Sequence, residues 1–218
     1  MSASQPTLAM PPLIHIVDDD SLLREALRGL LRSMSYETME HGSIEAFMAA
    51  DKGERAGCVL VDVRLPDGNG LDLQGRMAAQ GLHQPVIIMT GYGDIAMSVR
   101  AMKAGAIDFL TKPVRDQDLF DAVVAAVARD QARLGERENA ADLERRYASL
   151  SPRERQVMTL VTAGRLNKQA AAELSLSEAT IKTHRKSAMQ KMKAITLADW
   201  VRMADRLTHP EQSPAPAS

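Results

Sequence analysis

The sequence predicts two domains: a five-stranded, parallel, doubly wound α/β domain followed by a small all-α domain built around a helix-turn-helix. Three observations carry this. Between Leu13 and Arg129 five short apolar runs alternate with amphipathic stretches, the pattern of successive βα units. After Ser151 such runs cease and four short helical patterns follow. The charge divides at the same place. Leu13 to Asp130 carries 12 Lys and Arg against 18 Asp and Glu, a net of −6, whereas Ser151 to Thr208 carries 11 against 5, a net of +6. An acidic half suits a metal or phosphate site and a basic half a polyanionic partner, although two differently charged solvated surfaces would give the same counts.

In chain order, the candidate strands are Leu13 to Val17, Tyr36 to Met39, Cys58 to Val61, Val86 to Met89 and Ile107 to Leu110. Each is followed by a helical stretch. In the first of these, Leu22, Leu23, Ala26, Leu27, Leu30 and Leu31 form the apolar stripe, and Asp20 or Ser21 is the expected cap. Apolar strands joined by helices demand cover on both faces of the sheet. The ligand site of such a sheet lies beyond the carboxyl ends of its strands, where strand order reverses. After Asp118 a helical pattern runs through Leu119, Val123, Val124 and Val127 into the charge-rich stretch Arg129 to Tyr147, which suits either one long helix or a helix and a tether. Residues 13–130 are thus the first domain, 131–150 a helical linker and 151–208 the second domain. Ser151 and Pro152 open the latter as cap and first helical residue, ahead of helices at Pro152 to Ala163, Asn167 to Leu174, Glu178 to Lys193 and Leu197 to Leu207. The ends, 1–12 and 209–218, are rich in Pro, Ser and Ala and are expected to be disordered. Cys58, the one cysteine, sits in an apolar run and reads as a buried hydrophobe; with no disulfide framework, signal peptide or long apolar span, a cytoplasmic chain off the membrane is expected.

The residues at the strand ends are chemically selective. The first strand runs into Asp18, Asp19 and Asp20, the third into Asp62, the fourth into Thr90, and the fifth is followed by Lys112 and Pro113. Carboxylates converging from two strands repel one another and raise their own pKa values. A hard divalent cation resolves that conflict, and Mg²⁺, which takes a few carboxylate oxygens together with water and phosphate oxygens, suits the set. Asp62 could then accept a phosphoryl group as an acyl phosphate, with Lys112 and the Thr90 hydroxyl contacting its oxygens. Taken singly, each residue has a duller reading: Asp20 as a helix cap, Thr90 as a turn hydroxyl, Lys112 as a solvated charge, Phe109 as core. Their joint placement on four strand ends favours the chemistry.

The segments Ile16-Val17-Asp18-Asp19-Asp20, Leu60-Val61-Asp62-Val63-Arg64-Leu65-Pro66-Asp67-Gly68, Met89-Thr90-Gly91 and Phe109-Leu110-Thr111-Lys112-Pro113 resemble, in order and spacing, the receiver domain of response regulators, a flavodoxin-like fold. The resemblance implies that Asp62 is the phosphoacceptor, that Asp18, Asp19, Asp62 and the backbone carbonyl of Arg64 hold Mg²⁺, that Thr90 and Phe109 are the switch pair, and that Lys112 bridges to the phosphoryl group across a cis bond to Pro113. Where many receivers have a hydroxyl-bearing aromatic residue, Phe109 has none, so packing alone must sense Thr90. Arg64 and Tyr92, two residues beyond Asp62 and Thr90, have bulk that could shield an acyl phosphate and slow its loss.

In the second half, Asn167 to Leu174, a short turn and Glu178 to Lys193 read as helix, turn, helix. Ile181, Ala188, Met189 and Met192 face inward and leave Lys182, Thr183, Lys186, Gln190 and Lys193 for solvent or a partner. A helix fits the major groove of duplex DNA, and cations near its start can meet bases or phosphates. A lysine-rich solvated helix has the same composition. The run Leu150-Ser151-Pro152-Arg153-Glu154-Arg155-Gln156-Val157, with Asn167-Lys168-Gln169-Ala170-Ala171 and Thr180-Ile181-Lys182-Thr183-His184-Arg185, resembles the LuxR-type helix-turn-helix domain. That implies Lys182, Thr183 and Lys186 at the bases, Asn167, Lys168, Thr180 and Arg185 at the backbone, and Leu197 to Leu207 as a dimer helix. Trp200 and His184 read as packing residues. The domain order resembles the NarL/FixJ class, with the Thr90 to Asp94 loop nearest its FixJ branch. Such a chain is no enzyme beyond catalysing its own phosphorylation and dephosphorylation. Its implied partners are a sensor histidine kinase, promoter double-stranded DNA, RNA polymerase and, once phosphorylated, a second copy of itself. Two rivals stay open: a Mg²⁺-dependent phosphohydrolase, which lacks a second acid where Arg64 stands, and a binding module that is never phosphorylated.

Overall fold

The computed structural model describes residues 10–53, 55–91, 95–103 and 105–208, with backbone only at 95–98. The chain divides into two compact units, Met1–Gly135 and Glu136–Ser218. In the first, β1 (Leu13–Val17), β2 (Glu37–His41), β3 (Gly57–Asp62), β6 (Val86–Thr90) and β7 (Asp108–Thr111) form one parallel sheet in the order β2-β1-β3-β6-β7. A small antiparallel hairpin, β4 (Arg64–Leu65) and β5 (Gly68–Asn69), follows β3 directly. The helices are α1 (Ser21–Ser33), α2 (Ile44–Ala49), α3 (Leu73–Ala79), α4 (Ile95–Lys103) and α5 (Asp116–Ala148).

Strand periodicity divides the core in two. Ile14, Ile16, Cys58, Leu60, Ile87 and Met89 pack on one face against Leu27 and Leu31 of α1 and Leu119, Val123, Ala126 and Val127 of α5. Val17, Val59, Val61, Val86 and Ile88 pack on the other against Phe47 of α2, Leu73 and Met77 of α3 and Ala101 of α4. Each fully buried aliphatic side chain contributes roughly 1.5–3 kcal/mol of transfer free energy, which is why the central strands are mostly apolar. Burial pushes the Cys58 thiol far above its ordinary pKa, as befits a core hydrophobe. Four strands lie within a residue of their expected limits. β2, expected at Tyr36 to Met39, runs from Glu37 to His41. It is an edge strand paired only to β1, so half its side chains face water and its apolar content does not mark its end.

The second unit contains α6 (Pro152–Thr162), α7 (Asn167–Leu174), α8 (Glu178–Met192) and α9 (Leu197–Thr208). Ser151 caps α6 through a reciprocal pair: its Oγ accepts from the Glu154 amide at 3.2 Å, and its own amide donates to Glu154 Oε2 at 2.7 Å. Val157, Met158, Val161, Ala170, Ile181, Ala188, Met192 and Trp200 form the core, joined by Leu143 and Leu150 from the segment expected to be a linker. α7 ends on Ser175 with φ 53°, and Ser177 caps α8 by accepting from the Thr180 amide, so the turn between the two helices is three residues long. Of the terminal stretches expected to be disordered, 1–12 and 209–218, residues 1–9 and 209–218 lie outside the described residues, whereas the Pro12 carbonyl accepts from the Glu37 amide at 3.0 Å, so order begins before Leu13.

Candidate functional site

Strand order reverses between β1 and β3, whose carboxyl ends deliver Asp18 and Asp62 to one place. Carboxylate oxygens of Asp18, Asp19 and Asp62 lie within 4.8 Å of one another, Asp18 and Asp62 buried and Asp19 exposed. Lys112, at the end of β7, reaches across to them. Its Nζ donates to Asp18 Oδ2 at 2.6 Å and sits 3.1 Å from Asp62 Oδ2. Burial opposes the charge on Lys112, yet these hydrogen bonds and the adjacent anions hold its pKa above the ordinary lysine range. Burial also raises the Asp62 pKa, and the charge of Asp18 adds to this; Lys112 and the Arg64 backbone N–H pull the other way without prevailing. Asp62 is thus a desolvated carboxylate still short of positive charge.

The oxygen-only donor set fits Mg²⁺. Asp18 is already committed on several sides: its Oδ1 accepts from the Asp20 amide at 3.0 Å, its amide donates to the His41 carbonyl at 3.1 Å, and its carbonyl accepts from Arg24 Nη1 at 2.6 Å. Asp20 takes the duller role foreseen for it, capping α1 through Leu22 and Leu23. Arg64 is exposed two residues beyond Asp62, opening the hairpin. Thr90 is buried at the end of β6, and Phe109, half-buried on β7, shares its face of the sheet because Phe109 pairs with Ile88. The Lys112–Pro113 bond is cis. Tyr92 and the rest of the 92–94 loop lie outside the described residues.

Three residues that the sequence reading did not single out frame the pocket. Arg24 is one. Asp67, at the hairpin turn, caps α2 by accepting from the Ile44 and Glu45 amides at 3.1 and 2.8 Å. Gly70 must lack a side chain, since a Cβ there would stand 2.0 Å from the Asp62 carbonyl oxygen. An Asp five residues after Asp62 carries no sign of its partner, and the Gly is the one residue of the three whose type signals a close backbone approach.

In the second unit, Lys182, Thr183, Lys186 and Lys168 are exposed, and Asn167, Thr180 and Arg185 partly so. Asn167, Lys182, Arg185 and Lys186, with Met189, Gln190 and Ala194, line a shallow concavity of about 740 Å³. Arg185 Nη1 donates to Asn167 Oδ1 at 3.4 Å, tying α8 to the start of α7. Thr183 Oγ1 donates to the Ala179 carbonyl at 3.1 Å, which leaves its lone pairs and methyl group for a partner. Thr180 shares a 2.8 Å hydroxyl contact with Ser177 at the helix cap. Beneath α8, the buried Glu154 accepts from Ser187 Oγ at 2.6 Å and Lys191 Nζ at 2.7 Å. Despite its burial these donors draw its pKa down to about 2. Trp200 is fully buried, as expected of a packing residue.

Residues 14–124 match the family described as response regulator receiver domain, and 148–204 that described as bacterial regulatory proteins, luxR family. The chain belongs to the response regulators. Its relatives include Nodulation protein W of Bradyrhizobium diazoefficiens, 45% identical across 92% of this chain and 90% of the relative, and the transcriptional regulatory protein FixJ of Azorhizobium caulinodans, 42% identical across 88% and 90%. Among solved structures, the response regulator StyR superposes with a TM-score of 0.81 at 40% identity, covering 90% of this chain and 99% of that one. This response regulator is of the NarL/FixJ class, a phosphorylation-controlled DNA-binding transcriptional regulator with a histidine kinase and DNA as its partners. No described helix is long and apolar enough to cross a membrane.

Proposed function

We propose that Asp62 is the phosphoacceptor of this response regulator and that its modification controls promoter binding by α8. The observation that carries the reading is the buried Asp62 carboxylate, held 3.1 Å from Lys112 beside Asp18 and Asp19. Asp18, Asp19, Asp62 and the Arg64 carbonyl would hold Mg²⁺, which supplies charge to balance the carboxylates and the incoming phosphoryl oxygens. An Asp62 oxygen attacks phosphorus as the bond to the kinase imidazole nitrogen breaks; the imidazole leaves with the electron pair and takes up a proton. Lys112 exchanges a carboxylate for a phosphoryl oxygen, and the Thr90 hydroxyl turns to another. The vacated volume admits Phe109, and the surface of α4 and β7 changes its partner. Two copies then pair and set two α8 helices on neighbouring half-sites, with Lys182, Thr183 and Lys186 at base edges and Asn167, Lys168, Thr180 and Arg185 at the backbone. Residues 13–130 act as the receiver, 131–150 as the link and 151–208 as the reader, working in the cytoplasm, where contact with RNA polymerase follows promoter occupancy. The only chemistry asked of the chain is its own phosphorylation and dephosphorylation.

The test incubates wild type and Asp62→Ala with a small phosphodonor and Mg²⁺, follows intact mass, and then measures binding to a randomised duplex library. Wild type should gain one phosphoryl group only when Mg²⁺ is free, fail to gain it with chelator present from the start, and bind DNA more tightly once labelled; Asp62→Ala should be neither labelled nor tightened. Labelling of Asp62→Ala, or continuous turnover of the donor by an unlabelled protein, would refute the assignment.

A further inference from the structure

α1 opens with an electrostatic anomaly. Arg24 is the fourth residue of the helix, which has no acidic residue in its first turn, so a guanidinium stands where the helix dipole disfavours a cation. A local rule broken at a site marks a residue kept for another reason. Side chains on a helix lean toward its N-terminus, and here that direction aims Arg24 at the β1–α1 turn. Its Nη1 donates to the Asp18 carbonyl oxygen at 2.6 Å, and its side chain is only 17% exposed. The Asp18 amide is held from the opposite side by the His41 carbonyl at 3.1 Å. The main chain at Asp18 is thus gripped at both N–H and C=O, and the direction of the Asp18 and Asp19 carboxylates is set by that grip.

A fixed cation next to a cation site would repel the ion it is meant to serve. Glu40, on β2, meets that difficulty: its Oε2 lies 3.7 Å from Arg24 Nε, and its Oε1 lies 3.2 Å from Arg28 Nη1. One carboxylate faces both guanidiniums, so the field of Arg24 at the pocket is reduced while its hydrogen bond remains. Charge and geometry make opposite forecasts for removing Arg24. If charge dominated, divalent-cation affinity would rise; if orientation dominated, it would fall.

We infer that Arg24 is a positioning residue for the divalent-cation site, orienting the Asp18–Asp19 turn through the Asp18 carbonyl while Glu40 cancels its charge. The inference rests on the reading of Asp18, Asp19 and Asp62 as the Mg²⁺ ligands. Groups that orient metal ligands from outside typically change affinity by about 10–100-fold when removed. The full chain is titrated with Mg²⁺ by calorimetry, and with Mn²⁺ by the spin-resonance signal of the free ion. Wild type, Arg24→Met, Arg24→Lys, Glu40→Gln and an Asp19→Asn control are compared, with urea unfolding of each metal-free protein alongside. Arg24→Met should weaken binding about tenfold, and Arg24→Lys, which can still donate to the carbonyl, should recover most of the loss. Glu40→Gln should weaken binding at low salt and approach wild type at about 1 M, where the Debye length is near 3 Å. In phosphorylation assays Arg24→Met should raise the half-saturating Mg²⁺ concentration while leaving the limiting rate in place, a division that a general loss of stability would not produce. Wild-type or tighter Mg²⁺ binding by folded Arg24→Met overturns the inference. If Arg24→Met is unfolded, Arg24→Lys and Glu40→Gln decide it, and wild-type affinity in both at low salt overturns it. Failure of the ligand reading would look different, because the Asp19→Asn control would then bind as wild type does.

Discussion

Two buried imidazoles in the receiver set how the domain responds to acid. His15 on β1 is fully buried and His41 at the end of β2 nearly so; their Nδ1 and Nε2 atoms are 3.0 Å apart, and Phe47 meets both rings edge-on. One ring donates and the other accepts, so the pair is neutral. Burial, reinforced at His15 by His41 and at both rings by the nearby Lys52 ammonium over Phe47, pulls both pKa values down to about 4 from 6.5. The unfolded chain therefore binds more protons than the folded one between those values. Stability from this pair is complete above about pH 6.5 and is lost as pH falls toward 4, with a summed loss of roughly 2–3 kcal/mol between pH 7.5 and 5.5. Urea unfolding of the receiver at both values should show that loss, and His15→Leu with His41→Leu should flatten the profile. A wild-type midpoint independent of pH across this range would rule the account out.

Between elements, the buried Glu154 ties α8 to the start of α6. Its carboxylate serves Ser151, the cap of its own helix, and both Ser187 and Lys191 on α8, so a single anion links the start of α6 to α8. Glu154→Ala leaves the Ser151 amide and the Ser187 hydroxyl without their acceptor and the Lys191 ammonium with only the Ser149 carbonyl and water, and should cost about 3 kcal/mol, whereas Lys191→Met, at a side chain 40% exposed, should cost about 1 kcal/mol. Denaturant unfolding of residues 136–208 measures both, and equal costs would show that the anion is not the hub. The sequence reading takes Ser151 as the cap and Pro152 as the first helical residue but gives Glu154 no role, and its partners 33 and 37 residues away leave no local trace. The receiver divides the same way. Asp18, Asp19, Asp62, Thr90 and Lys112 were legible because each ends an apolar run that periodicity identifies as a strand. Arg24, Asp67 and Gly70 were not, since the Asp18 carbonyl, the α2 amides and the Asp62 carbonyl they meet are main-chain atoms with no residue identity to read. Charge similarly hid the end of β2, expected at Met39, because Glu40 looks like loop until the strand is seen at an edge.

For the chain as a whole, one helix supplies residues to two cores. α5 gives Leu119, Ala122, Val123, Ala126 and Val127 to the receiver core, and its buried Asp130 accepts from the Gly57 amide at 3.0 Å. From 131 to 142 it has no fully buried residue, and then Leu143 enters the core of the second unit with Tyr147 packed beside it. Arg155 lies 5.3 Å over the Tyr147 ring and donates to the Ala148 carbonyl at 2.9 Å, while Arg146 donates to the Met192 carbonyl at the end of α8. The DNA-reading unit therefore begins, energetically, before Ser151. Deleting Leu143 and Tyr147 removes a core side chain, of a kind that costs about 2–5 kcal/mol when truncated, together with a cation–π contact of about 0.5–1 kcal/mol. A fragment of residues 136–208 should unfold cooperatively, and one of 151–208 should be less stable by at least about 3 kcal/mol, with lower affinity for duplex DNA to the extent that it is unfolded. In the full chain, two cores with separate residue sets should give two unfolding steps, of which only the first unit's moves with Mg²⁺. Circular dichroism during urea titration of both fragments and of the whole chain checks each statement. Equal stability of the two fragments would mean that residues 136–150 are a tether after all, and that a signal reaching the second unit through them has no packed side chain to act on.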